Sequence, residues 1–360
     1  MKQGTVGRID NGIFRYQGWP TVCKSEDGTL YAVCSGYRLG HVCPFGKNVM
    51  YISRDEGETW SAPIIVNDTV MDDRDGGIVS LGGEKLLLSW FSHPMEFYEA
   101  RRGKYTEWMG SEQAAIADAV VDYWTSIKNE QNHYGSFVKH SDDGGKTWGK
   151  AIRVPGTSPH GPVKLRDGRL IWICREFHSG IYQKDSILVM ESCDEGKSWN
   201  FLSQLVFPKE YDGALYCEPD VAELPDGTLV GAIRAQGDPV PNKFTVFTCF
   251  SKDGGKTWTT PECLGISGSP PHLLVHSCGK LVLTYARRQR PCHTCARISE
   301  DGGRSFGEEI ELRPAENGDI GYPSTVELSD GSMLTAYYQA LPGEKFTSIL
   351  YTKWSLDEIL

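Results

Sequence analysis

Short apolar segments, each long enough for one β-strand, alternate with polar turns along most of the chain. Residues 48–52, 186–191 and 244–250 are examples that end at a turn rich in glycine and aspartate. Such segments are typical of strands rather than helices. Residues 111–128 differ, because they space their apolar side chains at the helical period and begin at Ser111, a suitable N-cap. The pattern predicts an all-β chain with one helical excursion.

One polar octet follows five of these segments and reads S-x-D-x-G-x-x-aromatic. Its Ser and Asp side chains can bond to nearby backbone N–H groups, and its glycine permits a positive φ. We expect each octet to close a β-hairpin, with the aromatic side chain packed back onto that hairpin as a structural residue. The copies are SRDEGETW at 53–60, SDDGGKTW at 141–148, SCDEGKSW at 192–199, SKDGGKTW at 251–258 and SEDGGRSF at 299–306.

A second hairpin signal, usually Asp-Gly between two apolar runs, alternates with the octets. It occurs at 27–28, 167–168, 226–227 and 330–331, and segments 82–85 and 277–280 take its place elsewhere. Two inner strands joined by this turn and two outer strands joined by an octet make one four-stranded blade. We therefore predict a six-bladed β-propeller that occupies residues 1–360 as a single domain. No octet follows 348–354, so we expect residues 13–17 to supply the last strand and close the ring.

Residues 94–132 are an insertion in the second blade, and the predicted helix lies within it. One interpretation is an element for packing or dimerisation. The other is a lid over the functional site, with Phe97, Tyr98, Tyr105 and Trp108 as its contact residues.

Composition narrows the classes of partner. A net charge of −10 argues against nucleic acid or an anionic membrane, although an arginine cluster can still bind an acidic small molecule. The chain shows no apolar leader or bilayer-spanning run, and its eleven cysteines are scattered, so we expect a cytoplasmic protein with reduced thiols. Cys292 and Cys295 form a lone C-x-x-C without a second ligand pair, so we expect neither a metal nor a cofactor.

The octets resemble the Asp-box (BNR) repeats of the sialidase superfamily, and other segments extend this resemblance over the whole chain. Residues 217–219 with 223–234 are similar to the fourth-blade segment of sialidases, and DIGYP at 319–323 is similar to the last-blade segment. HGP at 160–162 resembles the start of the third blade, and TYARR at 284–288 lies where the family places an arginine. The chain is identified as a member of a divergent, bacterial branch.

The resemblance implies a set of site residues. A tyrosine nucleophile is the sialidase exception among glycosidases, which implies that Tyr322 attacks the sugar and Glu218 takes its proton. Arginines bind a carboxylate in bidentate geometry, so Arg234 and either Arg288 or Arg287 would hold the substrate's acidic group. Asp319, near Tyr322, is a further candidate for substrate binding.

The chain departs from the sialidase pattern at two places. Sialidases begin with Arg-Ile-Pro, but residues 18–20 read Gly-Trp-Pro, and residues 37–52 lack the usual acidic residue. Nearby residues are candidate replacements. Asp73 or Asp75 is our first choice for the general acid because alternation along a strand puts both on one face, and His41 is the second. The other candidates, for substrate binding, are Arg38 and Arg74.

We therefore expect an exo-glycosidase that hydrolyses a terminal sialic acid or a related acidic sugar from a sialoglycan or similar substrate. One alternative is a glycosidase or lyase that acts on another acidic sugar through a His or Asp acid. The other is a carbohydrate-binding propeller without catalysis. The sequence leaves a homo-oligomer open and does not specify the sugar.

Overall fold

Six antiparallel sheets form a ring in the computed structural model, which describes residues 1–10, 12–127 and 133–358. The innermost strands of neighbouring sheets contact one another around a common axis. The predicted six-bladed propeller is confirmed. Alternating short strands and tight turns dictate this arrangement, because each blade buries both faces only against its two neighbours.

Each blade runs from an innermost strand at the axis to an outermost strand at the rim. Blade 1 comprises β2 (Tyr16–Lys24), β3 (Leu30–Arg38), β4 (Lys47–Ser53) and β5 (Ile64–Asn67). Blade 2 comprises β6 (Arg74–Gly82), β7 (Lys85–Ser92), β8 (Gly135–Ser141) and β9 (Ile152–Val154). Blade 3 has a divided inner strand and comprises β10 (Gly156–Thr157), β11 (Val163–Lys164), β12 (Leu170–Glu176), β13 (Ile187–Ser192) and β14 (Asn200–Gln204).

The second half of the chain repeats this arrangement. Blade 4 comprises β15 (Leu215–Glu223), β16 (Leu229–Gln236), β17 (Phe244–Ser251) and β18 (Glu262–Cys263). Blade 5 comprises β19 (His272–Val275), β20 (Leu281–Arg287), β21 (Cys292–Ser299) and β22 (Ile310–Ala315). Blade 6 comprises β23 (Gly321–Glu327), β24 (Met333–Ala340), β25 (Thr347–Trp354) and the N-terminal strand β1 (Lys2–Gly7).

The ring is closed by the N-terminus, as expected, but by a different segment. Strand β1 pairs with β25, whereas the predicted segment 13–17 leads into β2 of blade 1. Two glycines allow β1 to pack at this position beside β25. A Cβ on Gly4 would lie 2.4 Å from the ring of Tyr351, and one on Gly7 would lie 2.1 Å from the ring of Tyr51. Their hydrogen side chains let these rings pack directly on the strand.

All five octets form the predicted hairpin turns with the same bonds. The backbone N–H of the glycine at the fifth position of the octet donates to the hydroxyl of the octet's first serine at 2.7–2.9 Å in every copy. The Asp carboxylate accepts the N–H of the residue four positions on, at 2.9 Å in every copy. The Trp199 ring packs 5.2 Å from the buried ring of Trp172 and donates its N–H to Gly196 at 3.1 Å. These turns fix the rim of the ring.

The inner strand of blade 4 carries one residue more than the strand beside it. Cys217 pairs with Arg234 and Asp220 with Ala232, so three steps along β15 match two along β16. This is a β-bulge, which bends a strand and re-aims a side chain. Equivalent shifts interrupt β2, β6 and β23 in blades 1, 2 and 6.

Each of these four bulges holds a non-glycine residue in the left-handed region. The φ angles are 57° for Trp19, 48° for Asp75, 49° for Glu218 and 51° for Tyr322. Such angles are uncommon outside glycine and cost of order 1–3 kcal/mol each, and they cluster at functional sites. The four residues therefore mark the axis of the propeller as the place to look for chemistry.

The insertion in blade 2 folds into two helices, α1 (Met95–Glu99) and α2 (Ser111–Ile127), with a 3₁₀ turn at Tyr105–Glu107 between them. Residues 128–132, the end of the predicted insertion, lie outside the described residues. The apolar side chains of the insertion, including Tyr98 and Tyr105, pack with Leu39 and Cys43 from blade 1. These contacts pack the insertion on blade 1, while Phe97, one of the expected lid residues, lines the cavity at the propeller axis. Among the described residues, no helix is long and apolar enough to cross a membrane.

We expect Trp199→Ala to lower the free energy of unfolding by about 2 kcal/mol. This is below the roughly 3–5 kcal/mol typical of fully buried aromatic side chains, because the Trp199 ring is only partly buried. Denaturant unfolding measures the change, with Tyr123→Ala as the control because Tyr123 is 62% exposed on α2. A stability of Trp199→Ala equal to that of the control would contradict the packing role of the octet aromatics.

Candidate active site

A cavity of about 470 Å³ opens at the axis, and all four bulge residues line it. They are Trp19, Asp75, Glu218 and Tyr322. The bulges explain this convergence, since each one turns a side chain of an inner strand toward the axis. The volume is that of an ordinary small-molecule site.

Tyr322 and Glu218 are in direct contact within the cavity. The Tyr322 hydroxyl donates a short hydrogen bond to one carboxylate oxygen of Glu218, and Arg234 pairs with the other oxygen. A terminal nitrogen of Arg234 also lies 3.4 Å from the Tyr322 hydroxyl. The three side chains that the sequence indicated therefore form one hydrogen-bonded group.

Electrostatics give this group a defined protonation state. Burial raises the pKa of Tyr322 well above its usual value, and the Glu218 charge adds to the effect. Burial also tends to raise the pKa of Glu218, but the Arg234 charge and the hydrogen bonds from Tyr322 and Arg234 outweigh it, and the pKa is lowered. At neutral pH the pair is a phenol bonded to a carboxylate. Glu218 is thus positioned to accept the Tyr322 proton.

Of the two neighbouring arginines at the end of β20, Arg288 reaches the cavity and Arg287 does not. The Arg288 guanidinium lies 5.4 Å from the centre of the Tyr322 ring and donates to the Ile320 carbonyl at 3.0 Å. Arg287 instead faces Glu309, at 3.7 Å. The structure therefore selects Arg288 from the two candidates.

Arg38 and Arg74 have different roles, since only Arg74 lines the cavity. Arg38 is fully buried in an ion pair with Asp72, which is equally buried and also accepts the Tyr98 hydroxyl at 3.2 Å. Arg38 is not among the lining residues of the cavity. Arg74 lines the cavity, and its guanidinium lies 4.2 Å from the centre of the Trp19 ring. Arg74 thus stacks on Trp19, the neighbour of Gly18, and Gly18 is the residue that stands at the place of the arginine in the Arg-Ile-Pro segment.

The two candidate acids, Asp73 and Asp75, point to different places. Asp73 is fully buried away from the cavity lining, where it accepts the Thr69 N–H at 2.7 Å and the Ser92 hydroxyl at 3.3 Å. Burial raises its pKa to about 7. The expectation that both aspartates share a face is wrong because the bulge at Asp75 interrupts the alternation of β6.

Asp75 does line the cavity. Burial raises its pKa to about 7, against the opposing charge of Arg74 and with a further contribution from Glu218. One of its carboxylate oxygens is buried without a hydrogen-bond partner among the described residues. A carboxyl group with these properties is suited to donate a proton near neutral pH.

His41 also lines the cavity, and Asp319 supports it from behind. The His41 Nδ1 lies 2.9 Å from Asp319, and the Tyr16 hydroxyl donates to the same carboxylate oxygen at 3.0 Å. Burial lowers the pKa of His41 although Asp319 opposes the change. His41 is therefore less suited than Asp75 to hold a proton at neutral pH. Asp319 itself is not among the lining residues.

Opposite Tyr322, the cavity has a second wall that the sequence predicts only in part. This wall comes from blades 2 and 3 and from the insertion, and its residues are Phe91, His93, Phe97, Arg101, Arg175 and Phe177. Of these, only Phe97 was a candidate. Arg175 carried a signal, since it is the sixth residue of the run that follows its Asp-Gly turn, as Arg234 is of its own run.

The cavity is strongly cationic within an acidic protein. Five arginines line it, against the two carboxylates of Asp75 and Glu218. The arginines are Arg74, Arg101, Arg175, Arg234 and Arg288. A concave site with this excess of positive charge attracts and retains an anionic ligand.

A group of potential metal ligands lies elsewhere. His293, Cys295 and Glu309 have ligand atoms within 4.8 Å of one another on the outer part of blade 5, away from the cavity. Glu309 already accepts the Tyr285 hydroxyl at 2.6 Å and lies 2.7 Å from His293. Cys292 belongs to a different apolar cluster from Cys295, so the C-x-x-C pair does not converge.

Comparisons with known proteins agree with the repeats and the fold. A family profile for a BNR repeat-like domain matches residues 209–335, and one for the BNR/Asp-box repeat matches residues 51–62. The chain therefore carries Asp-box repeats on a six-bladed propeller. No curated protein matches it.

Solved structures with a similar fold cover almost the full length of this chain. A protein of unknown function from Dyadobacter fermentans is 21% identical with a TM-score of 0.75, covering 98% of this chain and 97% of that one. The NanB sialidase of Streptococcus pneumoniae is 12% identical with a TM-score of 0.69, covering 98% and 70%. The intramolecular trans-sialidase of Ruminococcus gnavus is 14% identical with a TM-score of 0.64, covering 99% and 98%. At these identities the likeness shows the fold.

We expect Asp72→Ala to lower the free energy of unfolding by about 3–5 kcal/mol, since it leaves the buried Arg38 charge without its partner. The matched control is Asp68→Ala, which removes the exposed partner of Lys47 and should cost about 0–1 kcal/mol. Denaturant unfolding of both variants measures the difference. Equal losses would show that Arg38 is not held as a structural ion pair.

Proposed function

We propose that this protein is an exo-glycosidase of the sialidase type that hydrolyses a terminal sialic acid or a related acidic sugar. The contact between Tyr322 and Glu218, inside a cavity dominated by arginines, is the observation that carries the proposal. The sialidases among the similar folds favour the same class of substrate.

The arginines favour a sugar whose carboxylate sits next to the reacting carbon. Arg234 and Arg288 flank Tyr322 and would bind that carboxylate. Arg74 lines the same cavity from the Trp19 side, and we assign it the place of the arginine that residues 18–20 lack. An anionic nucleophile would be repelled by a substrate carboxylate at this position, whereas the neutral phenol of Tyr322 is not.

The reaction follows from the protonation states of the pair. As Tyr322 Oη bonds to the anomeric carbon, its proton passes to Glu218, and the bond from that carbon to the leaving oxygen breaks. The leaving oxygen takes a proton from Asp75. Water then attacks the glycosyl-tyrosine, its proton returns to Asp75, and Glu218 gives its proton back to the phenolic oxygen. Each group ends in its starting state.

We expect Arg234→Ala to reduce kcat/KM on an aryl glycoside of sialic acid at least about 100-fold, which corresponds to roughly 2.7 kcal/mol of lost transition-state stabilisation. The loss arises because Arg234 would contact both the substrate carboxylate and Glu218. Arg54→Ala is the matched control, since Arg54 is exposed on the first octet. Unchanged turnover and binding in Arg234→Ala would overturn the carboxylate clamp.

We expect Asp75→Asn to slow a substrate with a poor leaving group at least about 100-fold more than one with a good leaving group. With a pKa of about 7, Asp75 is protonated below that pH, so turnover of the poor substrate by the unaltered protein should fall as the pH rises through 7. This fall should disappear in Asp75→Asn.

The control is Asp73→Asn, because Asp73 is an equally buried carboxyl with a pKa of about 7 that does not line the cavity. It should alter stability without changing the ratio of the two rates. The reverse result, with the leaving-group effect in Asp73→Asn and not in Asp75→Asn, would reject Asp75 as the acid.

A further inference from the structure

Blade 5 carries a histidine, a cysteine and a glutamate whose side chains converge outside the candidate active site. His293 and Cys295 are two residues apart on β21, which pairs in regular register with β20, so both side chains lie on one face of the blade. Glu309 immediately precedes β22. The three side chains bring a nitrogen, a sulfur and an oxygen atom within 4.8 Å of one another, and none of them lines the cavity at the axis.

The imidazole of His293 is the central group of this cluster. Its ring is buried, and its Nε2 lies 2.7 Å from a carboxylate oxygen of Glu309. Its Nδ1 has no hydrogen-bond partner among the described residues and lies 3.6 Å from the carboxylate of Glu311, which β22 places opposite Cys295. A neutral imidazole carries one proton, so it cannot satisfy carboxylates at both nitrogens. The ring therefore lies where a second positive centre is stabilising.

Hydrogen bonds from behind orient Glu309 toward His293. The Tyr285 hydroxyl donates to Oε2 of Glu309 at 2.6 Å, and Nε of Arg297 donates to that hydroxyl at 2.8 Å. Oε1 is the oxygen that faces His293. Arg287 lies 3.7 Å from Oε1, which is too far for a hydrogen bond. Carboxylates that bind metals are commonly fixed by such outer hydrogen bonds.

The thiol of Cys295 adds a soft ligand to the cluster. It is buried between blades 4 and 5 and donates to the Tyr285 carbonyl at 3.4 Å. A sulfur, an imidazole nitrogen and a carboxylate oxygen together suit Zn²⁺, whereas Mg²⁺ and Ca²⁺ prefer oxygen ligands alone. The ligands of one tetrahedral zinc ion lie roughly 3–4 Å apart, which is close to the spacing of these atoms.

We propose that this cluster is a zinc site, with Nε2 of His293, Sγ of Cys295 and Oε1 of Glu309 as protein ligands and water at the fourth position. Zn²⁺ replaces the proton between His293 and Glu309 and the thiol proton of Cys295, and both protons pass to solvent. Nδ1 of His293 then keeps a hydrogen and donates it to Glu311, the kind of outer partner that metal-bound histidines usually have. The inference does not rest on the proposed function, because the ligands lie outside the cavity.

The test is to measure Zn²⁺ binding by the full chain after a chelator has removed any metal. We expect one Zn²⁺ per chain by elemental analysis. In competition with a chelator of known affinity, Cys295→Ser should bind zinc at least about 100-fold more weakly, since a hydroxyl is a far poorer zinc ligand than a thiolate. With Co²⁺ as the probe, the unaltered protein should show a thiolate-to-cobalt absorption band that Cys295→Ser lacks.

Two other cysteines provide matched controls. Cys292→Ser removes the second thiol of the C-x-x-C pair, which is buried like Cys295 but belongs to a different apolar cluster. Cys278→Ser removes an exposed thiol whose sulfur lies 3.0 Å from Nδ1 of His276, another close histidine–cysteine pair. Both variants should keep the zinc affinity and the cobalt band of the unaltered protein.

Glu311→Ala keeps the test decisive if Cys295→Ser fails to fold, because the Glu311 side chain is 53% exposed. It should weaken zinc binding about tenfold by removing the outer partner of His293. Absence of bound zinc, a cobalt band that survives in Cys295→Ser, or an unchanged zinc affinity in Glu311→Ala would overturn the proposed site. Loss of binding in Cys278→Ser would assign the metal to His276 and overturn it as well.

Discussion

The inner strands of blades 1, 2, 4 and 6 each have a bulge at which three steps along the strand match two along its neighbour, and the rest of the site depends on these bulges. A regular strand would alternate its side chains between the two faces of a blade, and neither face points along the axis. The bulge breaks that alternation and turns Trp19, Asp75, Glu218 and Tyr322 into the cavity. Without it, Tyr322 and Glu218 could not meet across the ring.

The strain of four positive φ angles has to be offset by the surrounding structure. The ring of blades provides this stabilisation. Each bulge lies in a blade whose outer strands are joined by a hydrogen-bonded octet or, in blade 6, are completed by the N-terminal strand β1. The octets therefore support the backbone around the cavity from the rim, although none of their residues lines it. A fold that is stiff at its periphery can keep unfavourable backbone geometry at its centre.

Much of the fold could be predicted from sequence because its signals are local. An octet or an Asp-Gly turn is recognisable within a few residues, and so is the helical period of residues 111–128. The closing strand was misplaced at 13–17 because β1 is defined by what packs on Gly4 and Gly7, namely two tyrosines distant in sequence. Tyr322, Glu218 and Arg234 were found through resemblance, and their contact could be known only from the structure.

The remaining site residues depended on the bulges and on burial, which a sequence pattern does not reveal. The alternation of side chains along a strand predicts that Asp73 and Asp75 share a face. Because of the bulge, Asp73 is buried outside the cavity and Asp75 lines it. Arg38 and Arg74 look alike in sequence and both pair with the buried Asp72, yet only Arg74 lines the cavity. Arg175 had only its position after an Asp-Gly turn as a signal, and of the aromatic wall only Phe97 was a candidate, because these residues face the site only once blades 2 and 3 and the insertion are assembled.

The most direct test of the central claim is to trap the sugar on the protein and locate it. Incubation with a 2,3-difluoro derivative of sialic acid should displace fluoride from the anomeric carbon and leave a stable glycosyl-protein, since the second fluorine slows its hydrolysis. Mass spectrometry of the digested protein should then find one added sugar on the peptide that contains Tyr322, and none in Tyr322→Phe. A sugar attached to any other residue, or turnover of sialosides by Tyr322→Phe at the unaltered rate, would contradict the role assigned to Tyr322.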